Sequence, residues 1–214
     1  MRLRKVKNAS ERLKVDNNKY YVENAKEYKG NWKNLFNNSN PIHIEIGCGK
    51  GQFMITLAKN NPNINYVAIE KYDSVLLRTL EKAMNEDINN LKLAVMDANI
   101  ICEYFNKEEV DRIYLNFSDP WPKSAHAKRR LTSKLFLDQY KIILKPEGEI
   151  FQKTDNRKLF EFSLESFNEN GFKLSNISLD LHKDTEKYPD NITTEFEDKW
   201  SKLGPIYRLE ARLK

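Results

Sequence analysis

Cysteine is scarce in this 214-residue chain: Cys48 and Cys102 stand alone, without a Cys-x-x-Cys and with only three histidines. That excludes a disulfide framework and leaves no recognisable zinc site, so no metal is expected and a reducing, cytoplasmic setting fits. Long apolar runs are missing as well. No stretch is long enough to span a bilayer, and the basic N-terminus is not followed by an apolar segment, which gives no support to membrane insertion or secretion. Basic residues exceed acidic ones only slightly, 36 to 31 for a formal charge of +5, so the excess has meaning only where it clusters.

It clusters twice. Met1 to Lys14 holds Arg2, Arg4, Lys5, Lys7, Arg12 and Lys14 against Glu11 alone, and Lys123 to Lys134 holds Lys123, Lys128, Arg129, Arg130 and Lys134 with no acid. Two such patches are the electrostatic footprint of a polyanion binder, although solvated charge runs have the same composition. The 40% hydrophobic content is enough for one core. Residues 1–40, rich in Lys and Asn, read as a basic extension packed loosely on a main domain of residues 41–214.

That domain opens with an alternating apolar run, Ile42, Ile44 and Ile46, then Gly47-Cys48-Gly49-Lys50-Gly51, then a helical segment from Gln52 to Lys59. Strand, glycine loop and helix in succession let the backbone approach a ligand closely and set a helix N-terminus beside it. The Gly-x-Gly-x-Gly spacing departs from the dinucleotide fingerprint, and Glu45 beside it would repel phosphate and suit a cation. A second strand, Tyr66 to Ile69, ends at Glu70, where a carboxylate of a doubly wound fold accepts from ribose hydroxyls. The third, Leu91 to Met96, ends at Asp97. The apolar run Ile113, Tyr114, Leu115 leads to Asp119, followed by Pro120, Trp121 and Pro122, which read as a rigid loop because proline cannot continue a ladder. Trp121 then either stacks on a flat ligand or packs on the core. Four carboxylates at successive strand ends predict one crevice along a parallel sheet.

Further on, Thr132 or Ser133 is placed to cap a helix reaching about Leu144, Lys145 to Gly148 reads as a turn, and Glu149 to Thr154 as a fifth strand ending in Asp155. A helix from Arg157 to Asn170 stops at Gly171. Phe172 to Leu181 and Ile206 to Leu213 are the last strands, and at least one can pair antiparallel. Thr194 to Glu197 fits a capping box. His43 reads as structural, His126 as able to touch phosphate, and His182 as lacking an obvious partner.

Strands alternating with helices read as an α/β fold. The order of parts is similar to that of the class I S-adenosylmethionine-dependent methyltransferases, and the resemblance implies a Rossmann-like doubly wound seven-strand sheet, mostly parallel with one antiparallel strand. More specifically, Ile44 to Gly51, Tyr114 to Lys123, Lys128 to Leu131, Lys153 to Asn156 and Thr194 to Glu197 resemble the bacterial tRNA (guanine-N7-)-methyltransferase family. The resemblance implies an S-adenosylmethionine cofactor held by Glu45, Gly47, Gly49, Gly51, Glu70, Asp97 and Asp119, with Asp119 also catalytic. It implies that Lys123, Asp155, Thr194, Glu195, Phe196 and Glu197 contact the target guanine or its nucleotide, at variable-loop position 46 of tRNA. It also implies RNA contact by Ala125, His126, Ala127, Lys128, Arg129 and Arg130. The sequence is equally consistent with a monomer or a homodimer. Ser124, Ala125 and Ala127 are uncharged where the family has a denser basic pattern, which shifts expected RNA binding toward the N-terminal arm.

Overall fold

The computed structural model describes residues 6–15 and 19–214. Arg2, Arg4 and Lys5 of the first basic cluster lie outside the described residues. Seven strands form one sheet: β1 (Ile42–Ile46), β2 (Asn65–Glu70), β3 (Leu91–Val95), β4 (Val110–Asn116), β5 (Leu144–Thr154), β6 (Phe172–Ser178) and β7 (Tyr207–Leu213). Their order is β3-β2-β1-β4-β5-β7-β6. All pairs from β3 to β5 are parallel, whereas β7 runs antiparallel to both its neighbours.

Both faces of the sheet are covered, which is why the central strands are apolar along their length rather than half polar. On one face, Ile42, Ile44 and Ile46 pack with α4 (Lys134–Ile143) and α5 (Arg157–Glu169) through Phe136, Leu137, Tyr140, Phe160 and Phe167. On the other, Tyr66, Ala68, Leu91 and Leu93 pack with α1 (Ala9–Val15), α2 (Gln52–Asn60) and α3 (Asp73–Ala83). The apolar spacing Leu76, Leu77, Leu80 and Ala83 on α3 gives the one-sided stripe that such a layer needs. His43 faces this second side, buried between Tyr66 and Tyr114, a structural position as its sequence context suggests.

Several expectations are corrected. The extension is not loose from residue 19 onward. Trp32 is fully buried, stacks on Phe105 at 5.1 Å and donates its indole N–H to the carbonyl of Tyr104 at 2.8 Å. Tyr21 bridges to Leu93, with backbone bonds from Leu93 to Tyr20 and from Val22 to Leu93 of 2.9 and 2.8 Å, so the extension lies along the β3 edge. The Lys145–Gly148 turn is part of β5, whose register against β4 shifts between Val110 and Arg112. Such a bulge absorbs Pro146 without ending the strand. Ser133 occupies the position before α4 but donates its hydroxyl to the Lys128 carbonyl, while Thr132 bonds to Ser163, so neither side chain caps that helix.

Candidate active site

Strand order reverses beside β1, which has β2 on one side and β4 on the other. Such a switch point leaves a crevice at the strands' C-terminal ends, and the glycine loop sits there. Gly47, Gly49 and Gly51 have φ of 83°, 59° and 83°, in the left-handed region that favours glycine. A Cβ on Gly51 would also come within 2.2 Å of the Thr79 methyl carbon. Thr79 in turn donates to the Gly49 carbonyl at 3.0 Å, which fixes the loop to α3.

Glu45 is buried at the floor. Its Oε1 accepts from the Asn116 amide at 2.8 Å, and its Oε2 has no partner among the described residues. Burial pushes this carboxyl up to about 8, against the lowering effects of Asn116 and Lys153. Glu70 accepts from the backbone N–H groups of Gly49, Lys71 and Tyr72 at 3.3, 2.8 and 3.2 Å. Burial raises its carboxyl, those bonds oppose the rise, and the charge of Asp119 adds to it. Asp97 accepts from Asn99 and pairs with Lys71 at 2.9 Å. Burial is the largest single influence on it and acts upward, yet the bonds together hold it below the ordinary carboxylate range. Asp119 is exposed at the rim. The four carboxylates thus share one edge of the sheet, as their strand-end positions predict.

The Asp119 loop is held from outside. Phe117 and Trp121 both adopt positive φ, 51° and 40°, a conformation that side chains rarely take unless the surroundings enforce it. Arg130 supplies part of that enforcement, donating to the carbonyls of Pro120 and Trp121 at 3.1 and 3.0 Å while its guanidinium lies over Phe162. Trp121 belongs to neither core cluster; it is half-buried between His126 and the guanidinium of Arg129. Lys123, Ala125, Lys128 and Arg129 are exposed along the 3-10 turn Ser124–Arg129, with His126 and Ala127 half-buried.

The Thr194–Glu197 segment opens α6 (Glu195–Trp200). Thr194 does cap it, accepting from the Glu197 N–H at 3.0 Å. Gln52 of α2 donates to Asp198 at 2.8 Å, and Lys82 of α3 pairs with Glu195. Phe196 is 40% exposed and lies 4.9 Å from Phe117, so α6 meets the Asp119 loop beside the glycine loop. Asp155 is exposed just past β5. Glu197 differs from its neighbours: it is fully buried, with both oxygens occupied. His182, without an obvious partner in the sequence, is one of those occupants at 3.0 Å.

These parts bring the glycine loop, the Asp119 loop and the start of α6 together at one end of the sheet. Residues 39–209 match the family model described as "Putative methyltransferase". Proteins named tRNA (guanine-N(7)-)-methyltransferase are similar over most of the chain. The one from Lactococcus lactis subsp. cremoris is 51% identical, covering 99% of this chain and 98% of that protein. The one from Listeria monocytogenes serotype 4b is 53% identical over 90% and 89%. The chain belongs to the tRNA (guanine-N7-)-methyltransferase family. Fold likeness extends further, to a solved 16S rRNA methyltransferase, KamB, at 13% identity and TM-score 0.64, covering 86% of this chain and 93% of that one. An antibiotic-related methyltransferase has TM-score 0.63 at 17% identity, covering 90% and 95%.

A sulfonium-bearing amino acid nucleoside suits this family member's donor set. The unpartnered Glu45 oxygen lies buried where a cationic group would compensate it, and the glycine backbone leaves no Cβ in the way. Among the described residues no group of three His, Cys, Asp or Glu is placed to hold a metal ion. The residue that the motifs left unassigned is Lys153, buried between Glu45 and Glu197. The signal for it was present: a lysine inside an apolar strand calls for a buried partner.

Proposed function

We propose that this protein transfers the methyl group of S-adenosylmethionine to N7 of a guanine in tRNA, at variable-loop position 46. What carries the reading is the meeting of the Asp119 loop with α6 at Phe117 and Phe196, next to the carboxylates and the glycine loop. The name shared by the family's members supplies the target atom.

S-adenosylmethionine, when bound, supplies an electrophilic methyl on a positively charged sulfur. Glu45 accepts from the cationic end of the donor, Glu70 from its ribose, and Asp97 borders its base side. Guanine N7 has an in-plane lone pair and no proton, so the attack needs no general base, and the chain contributes mainly alignment. Pre-organisation of this kind is worth on the order of 7–11 kcal/mol. Asp119 orients donor and base, and nearby carboxylates stabilise the positive charge that develops on the purine. Asp155 and Glu195 accept from guanine N1–H and the N2 amine, an arrangement that opposes the N1 lone pair of adenine. Phosphate contacts come from Lys128 and Arg129, whose charged ends are exposed. A cytoplasmic location accords with a tRNA substrate and with two free cysteines.

The test is incubation of unmodified tRNA with isotopically labelled donor, followed by digestion and nucleoside analysis. Label in 7-methylguanosine supports the proposal. Label in another nucleoside overturns the target atom, and no label overturns the activity.

A further inference from the structure

We infer that Lys153 and Glu197 are positioning residues, whose buried ion pair sets the segment 191–197, which includes the base-reading residues, against β5 without either side chain touching the base. The inference rests on the proposed function and assigns a different task to Glu197 from the guanine contact that the family resemblance implies.

The geometry argues for it on three counts. The ammonium of Lys153 has three protons and three acceptors, Glu197 Oε2 at 2.5 Å, the Ile192 carbonyl at 2.8 Å and Asn191 Oδ1 at 3.3 Å. All three belong to the connection between β6 and β7, so one lysine fastens that connection to β5. Glu197, in turn, has no exposed surface. Its Oε1 takes the Asn191 amide at 2.9 Å and His182 Nε2 at 3.0 Å and its Oε2 takes Lys153, so no acceptor of Glu197 faces the surface from which a guanine N1–H would approach. Finally, Lys153 is the register partner of Asn116 on β4, and Asn116 bonds to Glu45 on β1. Glu45, Asn116, Lys153 and Glu197 therefore form a polar row across three strands into the connection.

Electrostatics agrees with a paired rather than a free lysine. Burial pulls the ammonium below its ordinary value, while Glu197 and Glu45 oppose that fall. Removing only one partner of such a pair strands the other charge, whereas removing both does not. Asp155 is exposed and Glu195, with one oxygen on Lys82, is half-buried, which leaves Asp155 and the other oxygen of Glu195 as the acceptors nearer solvent.

The experiment is a double-mutant cycle in the full chain with Lys153→Met, Glu197→Gln and both together. It reads kcat, KM for tRNA, and the donor dissociation constant by calorimetry. For Lys153→Met the expected result is a fall in kcat of about a hundredfold, with KM for tRNA and donor affinity within about threefold of wild type. Adding Glu197→Gln should recover about tenfold of that loss, because the stranded charge is gone. Should Lys153→Met fail to fold, the double variant and Glu197→Gln alone still decide: Glu197→Gln strands the Lys153 ammonium, so under the inference the double variant has the higher kcat of the two. A double variant no better than Lys153→Met, or no better than Glu197→Gln, would overturn the positioning role. A wild-type protein that methylates no tRNA would instead overturn the proposed function, so the two failures are distinguishable.

Discussion

Glu45 and His43 sit two residues apart on β1 and titrate in opposite senses. Burial holds Glu45 up to about 8 and lowers His43 to about 3, with the charge of Arg112 the next influence on His43. If Glu45 must ionise to take a cation, donor affinity rises with pH until the carboxyl is fully ionised above about 8. Below that pH the expected slope is close to tenfold per pH unit at most, and Glu45→Gln should flatten it in calorimetric titrations. Stability responds too. Glu45 is raised on folding, so the folded state gains a proton and the stability linked to it is lost as pH rises from 4.5 to about 8. His43 is lowered, so its linked stability is complete above 6.5 and lost as pH falls toward 3. Melting temperatures of Glu45→Gln across pH 6.5 to 8 should decline less than those of wild type. For Asp119 the expectation is kinetic: Asp119→Ala should keep tRNA binding and lose about 10²–10³ in kcat. Near-wild-type turnover in that variant would remove Asp119 from the mechanism.

The Asp119 loop and the basic turn after it are adjoining elements with separable tasks. Arg129 is exposed over Trp121, whereas Arg130 is tied to two carbonyls of the loop. Replacing Arg129 with Ala should weaken tRNA binding and reduce the slope of log affinity against log salt by about 0.7–0.9, one phosphate contact. Arg130→Ala should leave that slope nearly unchanged and lower kcat at saturating tRNA, because the left-handed Phe117 and Trp121 lose part of what enforces them. Filter binding across salt concentrations separates the two variants. Strand ends, the glycine loop and the α6 cap are all legible in the sequence, because each depends on neighbours in the chain. The role of Arg130 is not, since it acts on residues 9 and 10 positions back through a turn whose path composition does not specify. Glu197 reads locally as a capping-box acid, yet its partners Lys153 and His182 are 44 and 15 residues away. The bulged start of β5 was hidden for a related reason: Pro146 and Gly148 carry a turn signature that pairing with Val110 overrides.

Across the whole molecule, strands and helices alternate up to β6, and β7 runs antiparallel to both β5 and β6, the one departure from parallel pairing. What composition concealed is the N-terminal segment, polar on average but anchored by single large side chains. Trp32→Ala should therefore cost about 3–5 kcal/mol of global stability rather than the near-zero change of a surface site, as measured by denaturant unfolding. The first basic cluster is also less free than its count suggests, with Arg12 paired to Glu81 and Lys14 to Glu23. The bridge from Tyr21 to Leu93 has one more effect. It occupies the margin of the sheet at β3, while the opposite margin, β6, is interrupted between Ser175 and Ser178 and kinked at the left-handed Asn176. A foreign strand finds no long flat border to add to at either side, so resistance to amyloid-like stacking is built into the two ends of this sheet.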